Sequence, residues 1–83
     1  MATVSLTSLG TGSAGTVASV RPPQPGQDPE LVLRLIEIGF LPGESVRVVA
    51  RAQPGNDPIA VRLGRTTFAL RRFEADFIQI EGH

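Results

Sequence analysis

A chain of 83 residues and 8.8 kDa has room for one small domain, which we expect to span residues 1–83. Nine Gly and seven Pro, beside 41% hydrophobic residues, indicate a foldable chain of short elements joined by many turns. Eight arginines balance eight acidic residues, there is no Cys, and the single His is His83, which together exclude thiolate chemistry, a His-based catalytic triad and a multi-His metal site.

The first 26 residues predict two strands and a loop. Residues 3–16 are rich in Ser, Thr and Gly, which favours a short edge strand that runs into a loop over residues 10–15. Residues 16–21 predict a second strand, with two valines as its apolar side chains. The proline-rich residues 21–26 predict a surface loop, because the run is too short to favour a polyproline ligand for another protein.

The clearest element is a helix over about residues 28–38. Asp28 is suited to cap this helix, Pro29 fits its first position, and Gly39 can adopt the left-handed backbone that ends it. Leu33 lies at the border of the apolar face, where we expect it to be exposed. The rest of that face comprises Leu31, Val32, Leu35, Ile36 and Ile38.

Alternating residues predict further strands beyond the helix. Pro42 and Gly43 are typical of the centre of a type II turn. Residues 45–52 then alternate. One predicted face holds Val46, Val48, Ala50 and Ala52, and the other holds Arg47, Val49 and Arg51.

The last third of the chain predicts a hairpin, a helical turn and a final strand. Residues 59–63 and 67–70 alternate around the turn Gly64-Arg65, and Phe68 is expected in the core. Residues 71–76 break the alternation and suit one helical turn. Residues 77–81 predict a last strand whose two isoleucines, Ile78 and Ile80, face inward.

Five or six short strands and one helix must close or cover the edges of their sheet. We therefore predict a mainly β fold, a small SH3-like β-barrel with one short α-helix at about residues 28–38. No internal repeat, secretion signal or membrane-spanning run is visible in the sequence.

No arrangement of residues predicts catalysis. Glu74, Asp76 and Glu81 are close in sequence, but we expect these carboxylates to face solvent. Residues 10–15 match G-x-G-x-x-G in letters alone, without the strand and helix that a dinucleotide site needs. The one conceivable metal cluster is a weak surface pair of His83 and Glu81. We therefore expect no enzyme activity, no cofactor and no metal site within one chain.

Charge is unevenly distributed along the chain. Residues 28–44 carry four acids and one Arg, whereas residues 45–73 carry six Arg and one acid. A basic sheet face could meet RNA, an anionic membrane or an acidic protein, although solvated arginines explain it equally well. Four Phe with no Trp or Tyr argue against base stacking and against an SH3-type groove for proline-rich ligands.

Four motifs in register give this sequence a family resemblance. Residues 34–43, RLIEIGFLPG, resemble the R-L-x-x-L-G-hydrophobic-x-P-G signature of FeoA-type ferrous iron transport proteins. Residues 56–59 resemble the G-D-P-I turn of that family, with Asn56 in place of Gly, and residues 68–75 resemble its x-A-L-R-x-x-E-A segment. Residues 9–20 resemble its opening, a Leu followed by Gly-x-x-Gly-x-Val. The resemblance covers nearly the whole chain in order.

The resemblance implies an SH3-like barrel that acts in the cytoplasm as an accessory or regulatory protein of ferrous iron uptake. Its implied partner is the membrane GTPase transporter FeoB, which would recruit it to the inner face of the membrane. Neither nucleic acid binding nor membrane insertion is expected, and weak self-association is left open. The alternatives are the SH3-like C-terminal domain of a metal-dependent transcriptional repressor, which the start at Met1 disfavours, and a small RNA-binding barrel.

Partner-binding residues are expected where the helix ends. Phe40 and Leu41 make a two-residue apolar step before the turn at Pro42, and Leu33 can extend the same patch. Arg34 would orient the partner. In the alternative, which we weight equally, Phe40 belongs to the core and Leu41 alone is exposed.

Overall fold

The computed structural model describes residues 2–81 and contains six strands and two helices. A 3-10 turn follows the first strand at Leu6–Ser8. The elements in chain order are β1 (Thr3–Ser5), β2 (Ala14–Val20), α1 (Pro29–Ile38), β3 (Ser45–Arg51), β4 (Ile59–Leu63), β5 (Thr66–Leu70), α2 (Arg72–Ala75) and β6 (Ile78–Glu81).

All strands belong to one antiparallel sheet with the order β1-β6-β2-β3-β4-β5. Strand β2 connects the two halves of the sheet, because Ala14–Thr16 pair with β3 whereas Val17–Val20 pair with β6. This division bends the sheet around its core, and β1 and β5 remain at its two ends. The prediction of a mainly β, SH3-like fold with one short helix is confirmed.

The predicted local signals for the helix and turns are present. Asp28 accepts a hydrogen bond from the N–H of Glu30 at 3.0 Å, and Pro29 opens α1. Gly39 follows the helix with φ 125°, and Gly43 and Gly64 have φ 92° and 61° in the two predicted turns. Outside glycine, a positive φ among residues 2–81 occurs at Asn56 alone, at 58°, where the family motif has Gly.

A single core fills the space between the bent sheet and α1. Every strand except β1 contributes side chains to this core. Two of its largest fully buried side chains lie outside the strands: Phe40 follows α1, and Leu6 belongs to the 3-10 turn. The inward positions predicted for Val46 and Val48 and for Ile78 and Ile80 are confirmed. Phe68 is half-buried and packs on this core rather than within it.

A bulge corrects the alternation predicted for β3. The register with β4 shifts between Val48 and Ala50, so Ala50 is exposed instead of inward-facing. Beyond the shift Arg51 turns towards the chain near β1, where its guanidinium donates to the carbonyl oxygens of Thr7 and Leu9. An extra residue in one strand inverts the faces of all residues that follow it, and alternation alone does not reveal it.

Two further expectations are corrected by packing. Ile36 was placed on the apolar face of α1 but its side chain is exposed, because the helix packs through Val32 and Leu35. Glu74 was expected to face solvent, but only 14% of its side chain is exposed. Ile36 is exposed because α1 contacts the sheet through a narrower stripe than its sequence suggests, whereas Glu74 is covered where it pairs with Arg34 and accepts from the N–H of Arg71.

Candidate docking surface

Four of the five predicted partner-binding residues lie at the surface near α1. Leu33 and Leu41 are 53% and 45% exposed, and Arg34 and Pro42 are also exposed. A Leu side chain of this exposure leaves apolar area in water, which single surface residues commonly do without a function. Their grouping therefore matters more than their individual exposure.

Phe40 lies in the core and has no surface for a partner. It is 0% exposed, and its ring lies 6.1 Å from that of Phe68, inclined by 57°. Its inclusion among the contact residues is therefore corrected. The backbone turns between Phe40 and Leu41, so Phe40 faces the core and Leu41 faces water. This is the arrangement that the alternative prediction describes for these two residues.

Leu33 and Leu41 line separate depressions. Leu33 and Arg34 border a depression of about 320 Å³ on the outer face of α1, where Glu30 and Glu37 are also found. Leu41 borders a groove of about 270 Å³ between the end of α1 and the β4–β5 hairpin. The two leucines thus border different depressions, one along α1 and one beyond its C-terminal end, instead of a single continuous patch.

Arg34 is held by an ion pair that links the two helices. Its Nη2 lies 3.0 Å from Oε2 of Glu74. The other carboxylate oxygen of Glu74 accepts a hydrogen bond from the backbone N–H of Arg71 at 2.8 Å, at the start of α2. This single ion pair leaves 64% of the Arg34 side chain exposed to solvent.

Phe73 is an exposed aromatic that sequence reasoning did not select. It is 62% exposed and borders a cavity of about 290 Å³ with Arg21, Leu31 and Phe77. Its exposure could have been predicted from the sequence of α2. A one-turn helix that buries Ala75 must direct Phe73, two residues earlier and beside two arginines, towards solvent. Arg21 lies over the ring of Phe77, 5.2 Å from its centroid.

Asp76 completes the polar rim of this cavity. Its Oδ2 accepts a hydrogen bond from Arg21 Nη2 at 3.1 Å. The pKa of Asp76 lies below its ordinary value because of the hydroxyl of Ser5 and then the guanidinium of Arg21, while partial burial opposes the shift. Asp76 is therefore an ionised partner of Arg21 and unsuited to proton transfer near neutral pH.

Within residues 2–81 there is no cluster of three or more His, Cys, Asp or Glu side chains that could hold a metal ion. The weak pair proposed from the sequence includes His83, which lies outside the described residues. Over the same residues, neither helix has the length and apolar character needed to cross a bilayer.

No curated protein sequence matches the chain. The FeoA domain family model matches residues 4–82. The chain belongs to the FeoA family. FeoA domains are non-enzymatic SH3-like accessory domains, and membership supports a role in ferrous iron transport.

Solved structures agree with the family assignment. The zinc-bound FeoA of Stenotrophomonas maltophilia is 35% identical over 94% of this chain and 89% of its own, with a TM-score of 0.83. The FeoA protein of Chlorobium tepidum is 30% identical over 96% of this chain and 76% of its own, with a TM-score of 0.76. A manganese-dependent transcriptional repressor is 26% identical over 94% of this chain but only 40% of its own, also at 0.76.

Proposed function

We propose that this protein is a cytoplasmic accessory or regulatory protein of ferrous iron uptake that acts by binding a FeoB-type GTPase transporter. Membership of the FeoA family supports the pathway. Recruitment by the transporter would bring the protein to the inner face of the membrane.

The observation that carries the proposal is the pair of exposed leucines, Leu33 and Leu41, beside a closed core. Leu35 and Phe40 are fully buried in the core cluster, whereas Leu33 and Leu41 do not belong to it, so neither leucine is needed to complete the core. Partner contact is one reason for a small protein to keep such side chains in water. Pro42 stiffens the turn that presents Leu41, and the guanidinium of Arg34, paired with Glu74, is largely exposed beside Leu33.

A second candidate function rests on the repressor match. The same fold forms part of a manganese-dependent repressor, of which this chain covers 40%. A protein acting in that way would need a DNA-binding region that residues 2–81 do not contain. Sequencing the gene on both sides of this segment decides between the two functions, because a helix-turn-helix region encoded upstream would favour the repressor.

The test of the proposed function is co-purification with full-length transporter in detergent, with and without guanine nucleotide. Leu41→Asp should keep the fold, because an exposed residue loses little on becoming charged, and should abolish co-purification and reduce iron uptake in cells. Leu33→Asp should weaken both. The matched control is Val49→Asp, since Val49 is an exposed apolar residue of β3 far from α1 in sequence. A folded Leu41→Asp variant that binds and supports uptake normally would contradict the proposal.

A further inference from the structure

Strand β5 ends the sheet on one side and pairs with β4 alone. Its five residues are paired in an unbroken register, from Leu63 with Thr66 to Ile59 with Leu70. No other strand or helix of residues 2–81 hydrogen-bonds to its outer side. An edge of this kind offers a row of backbone donors and acceptors to any extended chain.

The register identifies which backbone groups are free. Leu63 and Thr66 flank a two-residue turn, so they form the hydrogen-bonded pair next to it. Antiparallel pairs alternate between bonded and non-bonded, so Phe68 and Leu70 also bond to β4. Thr67 and Ala69 therefore direct their N–H and C=O groups away from the sheet. Both side chains are exposed, and neither is large enough to obstruct an approaching strand.

Positive charge surrounds this edge. Arg65 precedes β5, Arg71 and Arg72 follow it, and Arg62 is the cross-strand neighbour of Thr67. All four side chains are exposed, and none forms an ion pair with another residue of the described chain, in which Arg21 and Arg34 hold the two ion pairs. The edge therefore has exposed guanidinium groups at both ends, and at its far end the carboxylates of Glu74 and Asp57 accept from the backbone N–H groups of Arg71 and Arg72.

An apolar groove runs beside the same edge. Its apolar lining is Ile38, Leu41, Leu63 and Phe68, its polar lining is Glu44 and Thr66, and its volume is about 270 Å³. Alternate side chains of a strand paired with β5 would point towards this groove, since successive residues of a strand face opposite sides. Unpaired backbone hydrogen-bonding groups, the groove and positively charged arginines thus occur together at the edge of β5.

We propose that the free edge of β5 binds an extended acidic segment of a partner protein as an additional strand. Backbone groups of Thr67 and Ala69 bond to the segment, its alternate apolar side chains enter the groove, and its carboxylates meet Arg65 and Arg71 at the two ends. This mode of recognition takes affinity from the main chain and specificity from the side chains. The proposal goes beyond the proposed function, because it holds whichever protein carries the segment.

Two other occupants fit this edge less well. A second copy of this chain, paired through β5 about Phe68, would match Thr67 with Ala69 but would place Arg65 opposite Arg71 twice. Like charges directly opposite one another destabilise a strand pair. A nucleic acid would satisfy the arginines but would leave the backbone N–H and C=O groups of Thr67 and Ala69 without strand partners.

The experiment measures amide hydrogen exchange of the 15N-labelled 83-residue protein with a capped nine-residue peptide in which glutamate alternates with valine. At ten times the dissociation constant, bound peptide should slow exchange at Thr67 and Ala69 about tenfold, by mass action. Binding should weaken as salt rises. A peptide with lysine in place of glutamate should not bind. Because no transporter is present, the result is independent of the proposed function.

Two variants separate the contributions that the backbone N–H of Ala69 and the arginines make to peptide binding. Ala69→Pro removes one free N–H without removing a bond to β4 and should weaken binding about tenfold, whereas Ala69→Ser should bind normally. If Ala69→Pro does not fold, the double variant Arg65→Gln, Arg71→Gln serves instead and should weaken binding and reduce its dependence on salt, with Arg62 and Arg72 still present. Equal binding of the lysine peptide, protection confined to α1, concentration-dependent protection without peptide, or displacement by a single-stranded oligonucleotide would each overturn the proposal.

Discussion

Gly39 ends α1 with a backbone that other residues rarely adopt. Its φ is 125°, and its N–H donates to the carbonyl oxygens of Ile36 and Leu35 at 3.0 and 3.3 Å. A Cβ at this position would lie 3.4 Å from Cδ2 of Leu63, closer than most such contacts. Both conformation and space therefore favour Gly at the point where the chain leaves the helix and turns Phe40 into the core.

We expect Gly39→Val to lower the free energy of unfolding by about 1–2 kcal/mol, because a β-branched residue would be held at positive φ. The measurement is urea denaturation at neutral pH. Gly10→Ala is the matched control, since Gly10 has no positive φ and the nearest atom to its Cβ would be 3.7 Å away. Equal midpoints for Gly39→Val and the original chain would contradict the assignment of Gly39 as an obligatory helix end.

Gly15 shows a different reason for Gly, the close approach of two strands. A Cβ there would lie 2.5 Å from Cγ2 of Ile80 across the β2–β6 interface. No positive φ is involved, so the residue is required by packing rather than by the backbone. The two glycines of the Gly-x-x-Gly-x-Val motif therefore differ. Gly12 has a positive φ of 88° and open space around its Cα, whereas Gly15 has neither a positive φ nor space for a Cβ.

Asp76 should make stability depend on pH in the acid range. Its pKa is lower in the folded protein, so its ionised form stabilises the fold above the ordinary carboxyl pKa of about 3.9. This contribution is lost as pH falls through the lower folded pKa. We therefore expect Asp76→Asn to reduce stability at pH 7 and to flatten the decline of unfolding free energy below pH 4.

The measurement for Asp76 is urea unfolding at several pH values from 2 to 7. Arg21→Gln should flatten the acid decline only in part, because the hydroxyl of Ser5 contributes more to the lowered pKa. An Asp76→Asn variant whose acid profile parallels that of the original chain would show that other carboxylates carry the effect.

At the scale of elements, Glu74 joins the two helices. Its carboxylate accepts from the N–H of Arg71 at the start of α2 and pairs with Arg34 of α1. A four-residue helix has almost no stability of its own. Its position therefore depends on this cap and on Ala75, which is fully buried beneath it.

Glu74→Ala should lower the free energy of unfolding by about 1–2 kcal/mol, because it removes a cap and leaves one backbone donor without its partner. Glu74→Gln keeps the hydrogen bond and should cost less. Arg34→Gln removes only the ion pair, whose cation is largely exposed, and should change stability by under about 1 kcal/mol. If Arg34→Gln cost as much as Glu74→Ala, the ion pair rather than the cap would position α2.

At the scale of the whole molecule, charge is neutral in total but unevenly distributed along the chain. Residues 28–44 carry four of the eight acidic residues, of which Glu44 lines the groove, whereas residues 45–73 carry six of the eight arginines. A partner that meets both would need opposite charges on its two surfaces. This division favours recognition of proteins over nucleic acids, which present one sign of charge.

We expect micromolar ferrous ion to leave the thermal midpoint unchanged under anaerobic conditions. Ligand stabilises by RT ln(1 + [L]/Kd), and no cluster of metal-binding side chains occurs among residues 2–81. Differential scanning fluorimetry with and without chelator measures this. The variant Glu81→Gln, His83→Ala is the control for the C-terminal pair. A rise of several degrees that this variant retains would reveal a metal site elsewhere.

Much of this protein was determined by its sequence alone, where the cause is local. Asp28, Pro29 and Gly39 bound the helix because caps and positive φ depend on a few adjacent residues. The tight turns at Gly43 and Gly64 follow for the same reason. Four spaced motifs were enough to indicate the family, since each reports a backbone requirement or a buried position of this barrel.

Only the tertiary structure decided what lies at the surface. Phe40 is buried and Leu41 is exposed because of the direction in which the chain turns after Gly39. The bulge in β3 redirected Arg51, and sheet order made β5 an edge. These outcomes depend on contacts between residues distant in sequence. Hydrophobicity and alternation predict which residues prefer to be buried. How much of each side chain is actually buried depends on how the bent sheet packs against the helix.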